Sequence, residues 1–328
     1  MNMKFDNVYV EAVSTVAGPF VISGPLKRQF DKTYTDFYDD EKTFELCEIK
    51  QLVEAVKILL KKTNKNEEDI DVAISSDLMN QLTISNFAYS RLNIPFLGVY
   101  NACASMSESI LLAASMIDSG KAKNAICTTS SHNMSAERQY RNPVEYGAPK
   151  PKTSTFTVSG STGIMLTNNK TDIKVTSATI GKVIDMGVTN VFDMGSVMTP
   201  SAAYTLNEHL KNTNTKVCDY DLILTGDLGM YGKKIFIDYC KEEYDIDLKD
   251  NYDDSATRIY DYSEDVYAGG SGPSCLPLVV YSDIIPKMKA RNLKKVLLIA
   301  TGALMSPTTC NQKLSIPSVS HAICLEVI

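Results

Sequence analysis

Short apolar runs alternate along this chain with longer segments whose apolar positions recur every three or four residues. The runs at 70–76 (IDVAISS), 95–100 (PFLGVY), 123–129 (KNAICTT), 219–225 (DYDLILT) and 294–301 (KKVLLIAT) are bounded by turn residues. Each predicts a strand covered on both faces, as in a parallel sheet between helices. Helical periodicity marks Glu41–Lys62, Ser107–Ser119, Ala202–Leu210, Met230–Glu243 and Pro273–Ala290. Such alternation predicts an α/β fold with right-handed crossovers. The series occurs twice, over about 5–168 and about 172–328. It divides the chain into two similar halves, 1–170 and 171–328, each a mixed, mostly parallel sheet flanked by helices. No residue-level repeat is visible.

Two stretches interrupt the pattern. Residues 131–155 (SHNMSAERQYRNPVEYGAPKPKTST) form the longest, and a polar loop of that length in a compact domain is usually functional or disordered. Residues 244–265 carry eight carboxylates, including Asp253 and Asp254, in a spacing that matches no calcium loop. That stretch reads as a solvated surface excursion.

Composition narrows the function classes. With 328 residues and 44% hydrophobic side chains there is ample material for a core. The net charge of −6 argues against a nucleic-acid partner, which would want a basic stripe. No apolar run approaches the ~20 residues that cross a bilayer. The opening MNMKFDNVYVEAV is too charged for a secretory signal, so a soluble protein kept inside the cell is expected. Eight cysteines contain no C-x-x-C pair, and three histidines leave little for a structural zinc; no metal site is foreseen. A reducing compartment with most thiols as small buried groups fits best.

Cys103 stands apart. The segment PFLGVYNACASMSESILLAASMIDSG reads as a buried strand, a tight turn and then an amphipathic helix. This places Cys103 near a helix N-terminus, where free N–H groups and the helix dipole favour a thiolate. An ordinary buried cysteine at a strand end is the plain alternative. A nucleophilic cysteine also needs a base and an oxyanion hole. No Ser-centred elbow, P-loop or HExxH is present, and Gly269, Gly270 and Gly272 do not fit a dinucleotide fingerprint.

A buried strand ending in N-A-C-A-S at the head of a helix, in a duplicated α/β chain, resembles the thiolase-like fold of thiolases and ketoacyl synthases. In that family the cysteine is acylated, and two second-half residues, His with His or Asn, polarise the thioester. DYDLILTGDLGMYGKK is similar to the histidine segment but offers Gly226 and Asp227. AGGSGPSCLPLVV is similar to the synthase GN turn, with Gly270 at the asparagine position. His209 and His321 do not obviously substitute. The resemblance therefore implies a degenerate, non-catalytic relative.

The run SSHNMSAERQYRNPVEYGAPKP, with DLMNQLTISNFAYSRLNIPFLGVYNACASM, GKVIDMGVTNVFDMGSVMTPSAA and the ATGALMSP and SIPSVSHA segments, resembles the stage V sporulation protein AD family across essentially the whole chain. That resemblance implies a dipicolinic acid-binding component of the spore membrane channel system. Such a component moves dipicolinate, possibly as its calcium chelate, in during sporulation and out at germination. It implies no cofactor, other stage V sporulation membrane proteins as partners, peripheral placement on the spore inner membrane through those partners, and a homodimer. A flat dicarboxylate wants apolar walls and convergent donors. The expected ligand-binding residues are Cys103, His132, Arg138, Arg141 and Asp185; the spacing of the two arginines would put both on one side of a helical turn. Asp185 is equally a turn-former bonded to its own backbone. An active acyltransferase using Cys103 and a purely structural scaffold are the competing readings.

Overall fold

In the computed structural model, which describes residues 1–140, 150–262 and 266–328, the apolar runs are strands and the periodic segments helices. The first half runs β1 (Asn2–Lys4), β2 (Tyr9–Ala17), β3 (Lys32–Thr33), α1 (Phe44–Thr63), β4 (Val72–Ser76), α2 (Thr83–Tyr89), β5 (Phe96–Gly98), α3 (Ser105–Asp118), β6 (Asn124–Ser131), α4 (Asn133–Tyr140), β7 (Phe156–Thr157) and β8 (Gly160–Thr167). The second runs β9 (Ile173–Ile180), α5 (Met194–Thr213), β10 (Leu222–Thr225), α6 (Gly229–Tyr244), β11 (Tyr252–Asp254), β12 (Gly270–Ser271), α7 (Cys275–Val279), α8 (Ile285–Lys289), β13 (Lys295–Ala303), α9 (Pro307–Asn311) and β14 (Ser318–Val327).

The main sheet has the order β11-β10-β13-β14-β9-β2-β8-β6-β4-β5. Its two parts touch where Tyr9 of β2 meets Lys174 of β9. Outwards from that contact the same series appears twice. β2, β8 and β6 pair antiparallel, then β4 and β5 add parallel strands. On the other side β9, β14 and β13 pair antiparallel, then β10 and β11 add parallel strands. Helix α1 packs on β2, β8 and β6, and α5 on β9, β13 and β14. α3 lies against strands of both parts, so it is buried nearly all round and carries small residues such as Ser107, Ala113 and Ala114 where backbones come close.

The structure gives meaning to a short residue-level repeat at a spacing of 150, which sequence reading had passed over. α1 and α5 end in Thr63-Asn64 and Thr213-Asn214, each Asn in the left-handed conformation that terminates a helix. Asp69 and Asp219 then accept from the backbone N–H three residues earlier, at 2.8 and 2.7 Å. Asp71 accepts from the N–H groups of Lys123 and Asn124, and Asp221 from those of Lys294 and Lys295. Four turn residues thus recur at one spacing in both parts.

The 244–265 stretch departs from expectation. Tyr252 and Asp254 sit on β11 and are buried, with Ile259 and Tyr260 behind them. The 131–155 stretch also contains more order than expected, since α4 follows β6 directly.

Candidate functional site

β5 leads into a tight turn, Ala102–Ala104, that opens α3. Ala102 takes φ +48, a left-handed conformation that a side chain resists. The turn is held by local bonds: Ala104 N–H donates to the Asn101 carbonyl at 3.1 Å and Ser105 Oγ to the Ala102 carbonyl at 2.7 Å. Gly302 of β13 presses on it from the other half; a Cβ there would lie 2.6 Å from the Asn101 oxygen. His321 of β14 meets the Asn101 side-chain amide at 3.0 Å, while its Nδ1 accepts from Gly181 N–H. Burial pushes His321 down to about 4, so the ring is neutral where its Nε2 meets Nδ2 of Asn101. This histidine positions the turn from behind.

Half-buried Cys103 lines a cleft of about 70 Å³ between the two halves. Ala136 and Tyr140 of α4 form one wall, Met194 and Met198 of α5 the opposite one. Ser271 and Gly272 close the floor, and Thr155 and Thr157 add hydroxyls. The Tyr140 hydroxyl bonds the Leu78 carbonyl and meets the Tyr100 hydroxyl at 2.9 Å. Among the described residues lining this cleft there is no Lys, Arg or His.

Beneath the floor stands Asp227, 1% exposed and at φ +67 in the turn after β10. Its Oδ2 accepts from Gly272 N–H at 2.8 Å, and the Cys103 and Cys275 thiols donate to the carboxylate as well. Burial pushes its carboxyl up to about 8; the Cys103 thiol beside it works against that rise and the Asp254 charge adds to it. Asp254 fixes the turn. It accepts from Thr225 Oγ1 at 2.7 Å and from the N–H groups of Leu228, Gly229 and Ala256. Burial raises Asp254 to about 6, against the pull of these donors.

The sequence-predicted residues do not converge on the cleft. Cys103 lines it. His132 is buried between the rings of Phe37 and Phe44, with Nε2 2.9 Å from the Phe37 carbonyl, and is pushed down to about 4 by burial. Its own carbonyl accepts from Ala136 N–H, so it seats α4 and leaves the cleft to others. Arg138, expected beside Cys103, faces outward and pairs with Glu45. The reason is helical: Ala136 and Tyr140 are four apart and share the cleft face, and a residue midway between them points to the other side. Arg141 lies outside the described residues. Asp185 is exposed, taking Gly187 N–H at 2.9 Å and the Ser315 hydroxyl at 2.6 Å, both of which lower its carboxyl. Gly226 gives its N–H to the Ile299 carbonyl, and Asp227 is the residue of that segment that reaches Cys103. At the glycine turn, Ser271 and Gly272 face the cleft in place of Gly270.

A family model described as stage V sporulation protein AD matches residues 1–326. The stage V sporulation protein AD of Bacillus subtilis is 43% identical over 320 residues, covering 97% of this chain and 94% of that one. The chain belongs to the stage V sporulation protein AD family.

Solved structures place this family member's fold. A 3-oxoacyl-acyl-carrier-protein synthase III from Aquifex aeolicus matches 97% of the chain and 99% of its own, with TM-score 0.58 at 14% identity. An OleA variant from Xanthomonas campestris matches 99% of both chains, with TM-score 0.62 at 13% identity. The fold of this stage V sporulation protein AD family member is therefore thiolase-like. Among its described residues no helix is long and apolar enough to cross a membrane, and no group of three or more His, Cys, Asp and Glu could hold a metal ion.

Sequence reasoning missed Asp227 and Asp254. A strand followed by Gly-Asp-Leu-Gly reads as a plain turn, and Asp254 sits in a charge run that reads as surface. The available signal for Asp254 was its place two residues after Tyr252, which in a strand turns both to the same face.

Proposed function

We propose that this chain is a non-catalytic, dipicolinic acid-binding component of the spore membrane channel system, acting in uptake during sporulation and release at germination. The observation that carries the reading is the cleft at Cys103. It occupies the nucleophile position of a thiolase-like fold, yet no histidine is among its described lining residues. Met194, Met198 and Met305 supply adaptable apolar walls for a flat ring. Ser271, Thr155, Thr157 and Tyr140 supply the few polar groups that fix orientation. The family membership supplies the sporulation context. In this reading the protein is peripheral at the spore inner membrane through other stage V sporulation membrane proteins, and it is a homodimer.

Calorimetric titration with dipicolinic acid tests it. Saturable binding is expected, weakened about fivefold in Cys103→Ala, the worth of roughly one net hydrogen bond. Arg138→Ala serves as the control and leaves binding unchanged, because that side chain faces away. Absence of both heat and thermal stabilisation would overturn the reading and put the scaffold role first.

One observation favours acyl transfer as a second reading: the Asp227 carboxyl beside the Cys103 thiol is a candidate base for it. Incubation with acyl-CoA followed by intact-mass measurement distinguishes the two, since only acyl transfer leaves a Cys103-dependent adduct.

A further inference from the structure

The cleft at Cys103 is small for the ligand proposed for it. Its cavity is about 70 Å³, whereas an apolar cavity of about 150 Å³ is what one benzene occupies. Dipicolinate has roughly twice the heavy atoms of benzene, so the cleft must widen to take it. A larger cavity of about 460 Å³ adjoins it, with Asn80, Tyr100, Gln139, Ser306 and Thr308 in its walls. The two spaces share four lining residues, Ala102, Tyr140, Ala303 and Met305. The alanines are too short to part them. Met305 is a flexible side chain that yields to a ligand, which leaves the rigid ring of Tyr140 as the partition.

That ring is held by a latch with a donor to spare. The Leu78 carbonyl accepts from the Tyr140 hydroxyl, from Gln139 Nε2 at 2.8 Å and from the Tyr100 hydroxyl at 3.3 Å. A carbonyl oxygen has two lone pairs, so three donors compete for two places. When Tyr140 leaves, Gln139 and Tyr100 still satisfy Leu78, and no acceptor is orphaned. Gln139 stays where it is, because its Oε1 also accepts from Asn80 N–H at 3.0 Å. The far end of α4 is anchored by His132 between Phe37 and Phe44, so the ring can turn without the helix. We propose that the larger cavity is the entry chamber for a flat aromatic acid and that Tyr140 is the gate between this chamber and Cys103. The identity of the acid rests on the dipicolinate reading. The ligand lodges among the amides of Asn80 and Gln139 and the hydroxyls of Ser306 and Thr308. Tyr140 then turns aside, and the two spaces join around it.

The rate at which Cys103 of the full chain reacts with N-ethylmaleimide tests the gate without any dipicolinate. It is read by peptide mass and set against the rate at exposed Cys218. Tyr140→Phe keeps the ring and loses the latch, and should speed labelling of Cys103 about fivefold, the worth of roughly one net hydrogen bond. Tyr140→Ala removes the partition and should speed it further; if that variant does not fold, Tyr140→Phe decides alone. Met305→Ala should stay near the wild-type rate. Buried Cys127 should remain unlabelled throughout, which a general loosening of the fold would not allow. Equal Cys103 rates in the wild type and both Tyr140 variants, or an equal gain in Met305→Ala, overturn the gate. Saturating dipicolinate should protect Cys103 in every variant. If the Tyr140 variants accelerate while dipicolinate neither protects Cys103 nor gives heat, the dipicolinate reading fails and the gate stands.

Discussion

Glu48 of α1 is 1% exposed, and its carboxyl is held by the hydroxyls of Ser130 at 2.8 Å and Ser135 at 3.3 Å. Burial, with the nearby Asp77 charge, raises it from 4.5 to about 8. The sign follows from a folded value above the unfolded one: the native state binds the proton more tightly. Its contribution to stability is whole below about pH 4.5 and is lost as pH climbs to about 8. Glu48→Gln removes the ionisation, keeps an acceptor for one hydroxyl and turns an N–H donor to the oxygen of the other. The variant should match the wild type in urea unfolding at pH 5 and exceed it at pH 8.5 by on the order of 2–4 kcal/mol. An equal difference at both pH values would sink the idea. Single residues of this kind separate what the sequence shows from what it hides. Cys103 was legible because small residues around a cysteine at a strand end leave few structural roles. Asp227, Asp254 and Glu48 were not, because a carboxylate reads as solvated until the chain folds over it and supplies its donors. Arg138 points elsewhere for a simpler reason: helical spacing alone does not say which face α4 turns to the cleft.

Elements were more legible than residues, with instructive gaps. Strands β4, β6, β10 and β13 match apolar runs because they are covered on both faces and carry no polar alternation, whereas β5 matches one while lying exposed at the sheet's edge. The antiparallel strands β2, β8, β9 and β14 escaped notice because Ser, Thr and Gly interrupt them, as at Ser161, Thr162 and Gly163. α5 proved longer than its apolar pattern, running through Pro200. Gly195 and Pro200 resemble helix breakers, yet Asp193 caps the start by accepting from Ser196 N–H. In the helix expected over Pro273–Ala290 a π turn at Val280–Ile284 separates α7 from α8. It relieves the clash that Pro286 would make with the carbonyl four residues back. Gly195 has a positive purpose, for it meets Gly232 of α6, where a Cβ would stand 2.6 Å from the Gly195 Cα. Gly232→Ala should therefore destabilise the protein by about 1–3 kcal/mol, although alanine favours a helix interior over glycine by about 1 kcal/mol. Denaturant unfolding checks it, and an unchanged or raised midpoint would show that α5 and α6 part easily.

At the scale of the whole molecule, the order of the sheet leaves β5 at one end, and its face is not that of a finished surface. Leu97 is 46% exposed, with Tyr100 at 49% and Phe87 at 58% nearby in the chain. An open strand edge bearing apolar side chains invites pairing with another chain. In the proposed homodimer a two-fold axis across that edge would bring two β5 strands together antiparallel, each supplying the other's missing neighbour. The consequence reaches the cleft, because β5 runs straight into Asn101 and the Cys103 turn, and Tyr100 holds the Tyr140 hydroxyl. Ordering the edge orders the wall. The purified chain should therefore run as a dimer by light scattering, and Leu97→Lys, which places a charge on the edge without touching the core, should run as a monomer. The monomer should also bind dipicolinate several-fold more weakly, since the turn must then be ordered at the expense of ligand affinity. A wild-type chain that is monomeric at tens of micromolar, or a Leu97→Lys variant that stays dimeric, would place the contact elsewhere on the molecule and uncouple assembly from the cleft.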